Sequence, residues 1–202
     1  MSGILLEGRH GIGKSTLLHQ ALWACGRDYS GYYVQRLLRE GRTGAFRVRP
    51  AAGGIQLTAA DHPALYRECF IRTDGVQSRM FPERFAAAAL PTLPAPEASP
   101  RLVVLDELGG VELLDDGLYR SICATLCRHA VIGSFKSEDN YRRMRATAHT
   151  DTRLLEQRRE ELRRLFALNS VQLVTVTETT SPAVRQAVDS FLRGDFADGK
   201  CI

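Results

Sequence analysis

The stretch Gly8-Arg9-His10-Gly11-Ile12-Gly13-Lys14-Ser15 fits the pattern G-x-x-x-x-G-K-[ST]. Its flanks carry as much information as the match. The short apolar run Ile4-Leu5-Leu6 precedes it and predicts a buried strand, and Thr16 to Ala24 follows it as a good helix former that Gly26 can end. Strand, glycine loop and helix in succession are the setting in which such a loop cradles phosphate. Its glycines let the backbone turn several N–H groups inward, and the helix adds its positive dipole end. Gly8 to Thr16 is therefore the candidate nucleotide-binding loop. Lys14 is expected at the β- and γ-phosphates and the Ser15 hydroxyl at Mg²⁺. Lysine occurs only at positions 14, 136 and 200, so the motif is not a by-product of a lysine-rich composition.

A second segment supports the first. Leu102-Val103-Val104-Leu105 is a continuous apolar run, as in a strand covered on both faces, and Asp106-Glu107 follows it directly. Asp106 at that strand end is placed to reach the same Mg²⁺, and Glu107 to orient and deprotonate an attacking water.

Further strands are predicted at Ala130–Ser134 and Val171–Val176, and helices over Pro82–Leu90, Asp116–Arg128, Arg153–Phe166 and Ser181–Leu192. Ser181 is the expected N-cap of the last helix, with Pro182 at its first position and Gly194 at its end. Between Tyr32 and Ala59 the pattern changes. Tyr32–Leu38, Gly44–Arg49 and Ile55–Thr58 read as an antiparallel meander with turns at Glu40-Gly41-Arg42 and Gly53-Gly54. Glu68–Arg72 reads as one more strand, and the prolines of 91–100 as a stiff connector. The expected fold is α/β, a three-layer P-loop sandwich with a mainly parallel core sheet and an antiparallel β-meander insertion at about residues 31–60. A single domain over residues 1–202 is expected, with an arginine-rich helical insertion at about 141–168 and a frayed tail after Gly194.

Composition sets limits. The net charge of +4 is mild and dispersed, compatible with phosphate ligands but too small to demand nucleic acid. No apolar run reaches membrane-span length and no leader pattern precedes the first strand, so a cytoplasmic monomer is expected. Five cysteines without a C-x-x-C pair fit a reducing compartment. Cys123 and Cys127, four apart, are expected to be buried core thiols rather than metal ligands.

Three boxes in this chain resemble a known family. Asp106-Glu107-Leu108-Gly109-Gly110-Val111-Glu112-Leu113 is similar to the D-E-I-G-K-M-E box of the small P-loop nucleoside-triphosphatases of thermophile and human cancer-related type. Gly8–Ser15 resembles that family's G-x-P-G-V-G-K-[TS]. Gly31-Tyr32-Tyr33 and Arg39–Phe46 resemble its G-F-x-T…R-E-G-G-x-R-x-G-F signature. The resemblance implies a RecA-like fold and slow Mg²⁺-dependent hydrolysis of several nucleoside triphosphates to diphosphate and phosphate. It also implies Lys14 and Ser15 on phosphate and metal, Asp106 on the metal, Glu107 as general base and Glu112 in a structural role.

The chain departs from the pattern at several positions. Gly110 stands where the family usually has lysine, His10 replaces the P-loop proline, and Arg36 lies near a usual glutamate. Phe135 follows the Ala130–Ser134 strand where a polar residue is expected, and Thr179-Thr180-Ser181-Pro182 does not match the family's late Asn-Arg-Asp. Ser134 and Lys136 are candidate γ-phosphate sensors. Arg142, Arg143 or Arg145 could act as an arginine finger, although a solvated helix face laced with salt bridges is the simpler reading. Two other functions fit the same residues: a kinase using 141–168 as a lid, and a nucleotide-dependent switch or RNA-binding regulator.

Overall fold

The computed structural model describes residues 2–74, 77–95, 97–99, 101–147 and 152–194. The tail beyond Gly194, including Cys201, lies outside them. In chain order the strands are β1 (Gly3–Glu7), β2 (Tyr29–Arg39), β3 (Arg42–Pro50), β4 (Thr58–Ala60), β5 (Cys69–Asp74), β6 (Gln77–Met80), β7 (Leu102–Leu108), β8 (Ala130–Phe135) and β9 (Val171–Thr175). The helices are α1 (Lys14–Cys25), α2 (Pro82–Ala89), α3 (Asp116–Arg128), α4 (Glu138–Thr147), α5 (Thr152–Leu168) and α6 (Ser181–Arg193).

Among the described residues nine strands form one sheet in the order β6-β5-β3-β2-β7-β8-β1-β9, with β4 paired to β2 off that path. The run from β2 through β7, β8 and β1 to β9 is parallel, and the run β2-β3-β5-β6 is antiparallel. One strand, β8, separates the P-loop strand β1 from the carboxylate strand β7.

The two-residue period of a strand distributes the core between two faces. Ile4 and Leu6 of β1 and Leu102 and Val104 of β7 pack with α1 (Leu17, Leu18, Leu22) and α6 (Val184, Val188). Leu5 of β1 and Val103 and Leu105 of β7 face the opposite way, onto α2, α3 and α5 through Phe85, Ile122, Leu126 and Leu162. Burial of each such Leu or Ile contributes about 1.5–3 kcal/mol, so the central strands anchor the loops at their carboxyl ends.

The antiparallel part differs from its sequence reading. Ile55–Leu57 forms no strand; β4 begins at Thr58 and pairs parallel with β2, not antiparallel with β3. The third and fourth antiparallel strands are β5 and β6. The reason is the length of β2, whose first residues pair with β7 (Tyr29 to Tyr32) and whose last pair with β4 (Arg36 to Leu38) along the same edge. β2 thus belongs to the core sheet as well as to the hairpin, whose turn at Glu40-Gly41 has both residues at positive φ.

Two smaller expectations are also corrected. The N-cap of α6 is Thr180 rather than Ser181, without a side-chain capping bond, and Pro182 is the second helical residue; the Thr180 hydroxyl accepts from the Thr177 N–H in the turn ahead of the helix. Cys127 is exposed and Cys123 half-buried, since the apolar stripe of α3 runs through Leu118, Ile122 and Leu126 and leaves position 127 outward.

Candidate functional site

The glycine loop joins β1 to α1. Gly8 and Gly13 have φ of 148° and 96°, a region that L side chains rarely adopt, and a Cβ on Gly8 would lie 2.6 Å from the Val176 carbonyl oxygen. Lys14 is nearly buried within the loop, where its Nζ donates to the Gly8 and Arg9 carbonyls at 3.0 Å each. Burial lowers the pKa of that ammonium. Asn140 of α4 also donates to the Gly8 carbonyl, at 3.0 Å, so α4 braces the loop. His10, Gly11, Gly13, Lys14, Ser15 and Thr16 line a cavity of about 90 Å³, closed by Arg36 of β2 and Glu107 of β7.

The end of β7 is bent. Opposite β8 the register passes from Leu105↔Gly133 to Leu108↔Phe135, so the interval of three residues on β7 faces one of two on β8. Glu107 sits within this bulge at φ 60°, a left-handed conformation that costs energy for a non-glycine residue and is met most often at functional sites. Its backbone N–H donates to Ser134 Oγ at 2.8 Å and to Asp106 Oδ1 at 3.1 Å, which holds the conformation in place.

Asp106 is buried at 3% exposure. Its Oδ1 also accepts from Ser134 Oγ at 2.7 Å, and its Oδ2 accepts from the Val34 N–H at 3.1 Å, between the stretches of β2 that pair with β7 and with β4. Burial, followed by the neighbouring Glu107 charge, raises the Asp106 pKa, while these three donors oppose the rise.

Glu107 has the opposite environment. Its side chain is about one third exposed, and Oε2 accepts from Lys136 Nζ at 2.6 Å. The Lys136 charge is the largest influence, and it holds the Glu107 pKa down at about 2. Burial works against the Lys136 ammonium, but its bond to Glu107 and the nearby carboxylates keep its pKa above the ordinary lysine value. Gly110 explains how Lys136 fits: a Cβ at position 110 would lie 2.7 Å from Lys136 Cε, so the glycine leaves room for a lysine arriving from β8. Glu112 is buried and accepts from the Gly109 and Gly110 N–H groups, which fixes the turn after β7; burial pushes its carboxyl up.

Of the residues named from sequence, Gly11, Gly13, Lys14, Ser15, Thr16, His10 and Glu107 therefore meet around one cavity. Gly8, Arg9 and Ile12 line a second cavity of about 520 Å³ on the other side of the loop, with Thr175 to Thr179 and Asp139. Arg9 there pairs with Glu178. Asp106 stands behind Glu107 and is tied to Ser134 rather than lining the phosphate cavity. His10 borders the cavity, and burial and then Arg36 lower its pKa.

Arg142 lies 3.6 Å from Glu138, Arg145 pairs with Glu156, and none of Arg142, Arg143 and Arg145 lines the phosphate cavity. Sequence reasoning missed Arg159. This guanidinium is 2% exposed and donates to the Gly109 carbonyl at 2.5 Å and the Lys136 carbonyl at 3.0 Å. It also lies over the Phe135 and Tyr141 rings, which accounts for an aromatic residue at position 135. Arg36 and Asn140 were missed as parts of the site as well; the only signal for Arg36 was a basic residue where a family glutamate is usual.

Among the described residues no cluster of three or more His, Cys, Asp or Glu could hold a metal. No helix among them is long and apolar enough to cross a membrane.

The chain is similar to known proteins. The human cancer-related nucleoside-triphosphatase is 29% identical over 133 residues, covering 61% of this chain and 68% of its own length. The crystal structure of THEP1 from the hyperthermophile Aquifex aeolicus superposes with a TM-score of 0.62 at 17% identity, covering 94% of this chain and 98% of that one. The solution structure of a human cancer-related nucleoside triphosphatase gives 0.60 at 21% identity, covering 99% and 100%. At those identities the two structures speak for a shared α/β P-loop fold. The family described as NTPase matches residues 3–167, most of the chain. The chain belongs to that family, the small P-loop nucleoside-triphosphatases.

Proposed function

We propose that the chain hydrolyses nucleoside 5′-triphosphates to nucleoside diphosphate and phosphate, slowly, with Mg²⁺ and with broad base specificity, as a cytoplasmic monomer whose residues 1–202 form one domain. The observation that carries this reading is the position of Glu107: a partly exposed carboxylate lining the same cavity as Lys14 and Ser15, its backbone held in a left-handed conformation by Ser134 and Asp106.

The donors present suit Mg²⁺. The Ser15 hydroxyl on the cavity wall would hold the ion directly and Asp106, set back behind Glu107, through water, and Mg²⁺ takes only one or two protein oxygens beside phosphate and water. The ion would neutralise charge on the phosphates. The chain's own groups bind and orient: the Gly8–Thr16 backbone and Lys14 hold the phosphates, and Arg36 and Lys136 add positive charge at the γ end. Glu107 takes the proton of the attacking water, which its Lys136 partner makes easier by moving to the γ-phosphate and leaving the carboxylate more basic. The base is proposed to lie in the cavity beyond the loop, lined by Gly8, Arg9, Ile12, Asp139 and Thr175 to Thr179.

The test is phosphate release from ATP, GTP, CTP and UTP with Mg²⁺ or with chelator, each with and without nucleoside monophosphates. Mg²⁺-dependent release from all four without an acceptor is the expected result. Release that appears only with one monophosphate would replace this reading by a kinase.

A further inference from the structure

A second cavity of about 220 Å³ opens on Glu107 and His10, the residues that also bound the phosphate cradle. Its body is apolar, made by Val34, Phe46, Phe70, Met80, Phe85 and Met144 from β2, β3, β5, β6, α2 and α4. Phe70 and Phe85 stack edge-on with centroids 4.7 Å apart, a fixed aromatic wall. Its inner end carries Glu107, Lys136, Glu112 and His10, and Thr73 and Ser78 lie at its other polar margin, hydroxyls 3.1 Å apart. A hydrolytic water needs only a site beside Glu107; an aromatic chamber of this size does nothing for it.

We infer that this chamber binds a small uncharged alcohol with an aromatic or branched apolar body, and that its hydroxyl can take the γ-phosphoryl group in place of water. The inference rests on the proposed role of Glu107 as base. The size fits such an occupant: a cavity of roughly 150 Å³ holds benzene, so this one has room for a ring and a short arm. The charge fits as well. Among the described residues no arginine lines the chamber, and its two carboxylates, Glu107 and Glu112, outnumber its single lysine, so a phosphorylated acceptor finds no arginine clamp there. That sets a nucleoside monophosphate aside and favours a neutral hydroxyl able to donate to Glu107. In the transfer the alcohol proton passes to the Glu107 carboxylate as the alcohol oxygen bonds to the γ-phosphorus. The bond from γ-phosphorus to the β-phosphate bridging oxygen breaks, and its electron pair leaves with the nucleoside diphosphate. The products are the alkyl monophosphate and the diphosphate, and Glu107 then releases its proton to solvent.

The experiment uses 2-phenylethanol, with glycerol as the polar comparison. Saturation-transfer NMR on the nucleotide-free chain reads binding, and ³¹P NMR with Mg²⁺ and ATP reads phosphate and phosphate ester together. Binding of 2-phenylethanol and at least about tenfold more ester from it than from glycerol are the expected results. Met80→Trp and Met144→Trp, which narrow the chamber from opposite walls, each lower the ratio of ester to phosphate by about tenfold. No saturation transfer, or a ratio untouched by both variants, overturns the inference. Phosphate release without ester overturns the acceptor role and leaves hydrolysis standing, whereas bound alcohol with neither product overturns both.

Discussion

Lys136 Nζ lies 2.6 Å from Glu107 Oε2, each carried by the carboxyl end of one of two adjacent parallel strands. The pair joins the group proposed to activate water to the cation proposed to serve the γ-phosphate. Lys136→Met removes that cation and leaves Glu107 beside Asp106 with Lys14 as the remaining lysine near it. The expected outcome is a fall in turnover of about 10², with a smaller loss of nucleotide affinity, read by single-turnover phosphate release and equilibrium binding. Unchanged turnover would restrict Lys136 to balancing the Glu107 charge.

Ser134 acts one step further back. Its hydroxyl donates to Asp106 and accepts from the Glu107 N–H, and so fixes both carboxylates. Ser134→Ala leaves the Glu107 N–H with Asp106 Oδ1 alone and frees the bulge to relax. Turnover is expected to drop by about tenfold or more while KM moves less, and steady-state kinetics on the folded variant reads this directly.

Arg159 clamps the turn after β7 to the loop after β8 through the Gly109 and Lys136 carbonyls. Arg159→Leu leaves a void in the place of the guanidinium and two inward-facing carbonyls without this donor. A loss of about 2–4 kcal/mol is expected, seen as a Tm lower by roughly 5–15 °C in a thermal melt. Arg159→Lys should recover only part of it, because one ammonium cannot span both carbonyls as the planar fork does.

Tyr119 of α3 donates to Glu161 Oε2 of α5 at 2.5 Å, and that bond lowers the Glu161 pKa below its usual 4.5. A carboxyl depressed in the folded state stabilises above its unfolded pKa and loses that contribution as pH falls through the folded value. Tyr119→Phe is therefore expected to cost about 1 kcal/mol at pH 7, or roughly 2–4 °C in Tm, and less at pH 3. Melts of both proteins at the two pH values check it; a difference that persists at pH 3 would assign the effect to packing.

The sequence made the phosphate loop legible because its chemistry is local: Gly8 to Ser15 carry the turn, the lysine and the hydroxyl within one contiguous stretch. Asp106 and Glu107 were legible because an apolar run stops at them. What was not legible depends on pairings distant in sequence. β4 escaped because its partner edge on β2 becomes available only where β7 ends, which no two-residue pattern in Ile55–Thr58 records. Arg159 escaped because it is one arginine among many on a helix that looks solvated, and only the fold turns it toward Gly109. Arg142 and Arg145 have the same composition around them and end in ion pairs away from the phosphate cavity.

The central claim is that Glu107 activates the attacking water. Its most direct test is Mg²⁺-dependent phosphate release from ATP by the native chain and by Glu107→Gln, with ATP affinity measured on both and Lys14→Ala as the binding-deficient comparison. The account predicts that Glu107→Gln keeps ATP affinity within a few-fold and loses turnover by about 10² or more. Native turnover in Glu107→Gln would contradict it.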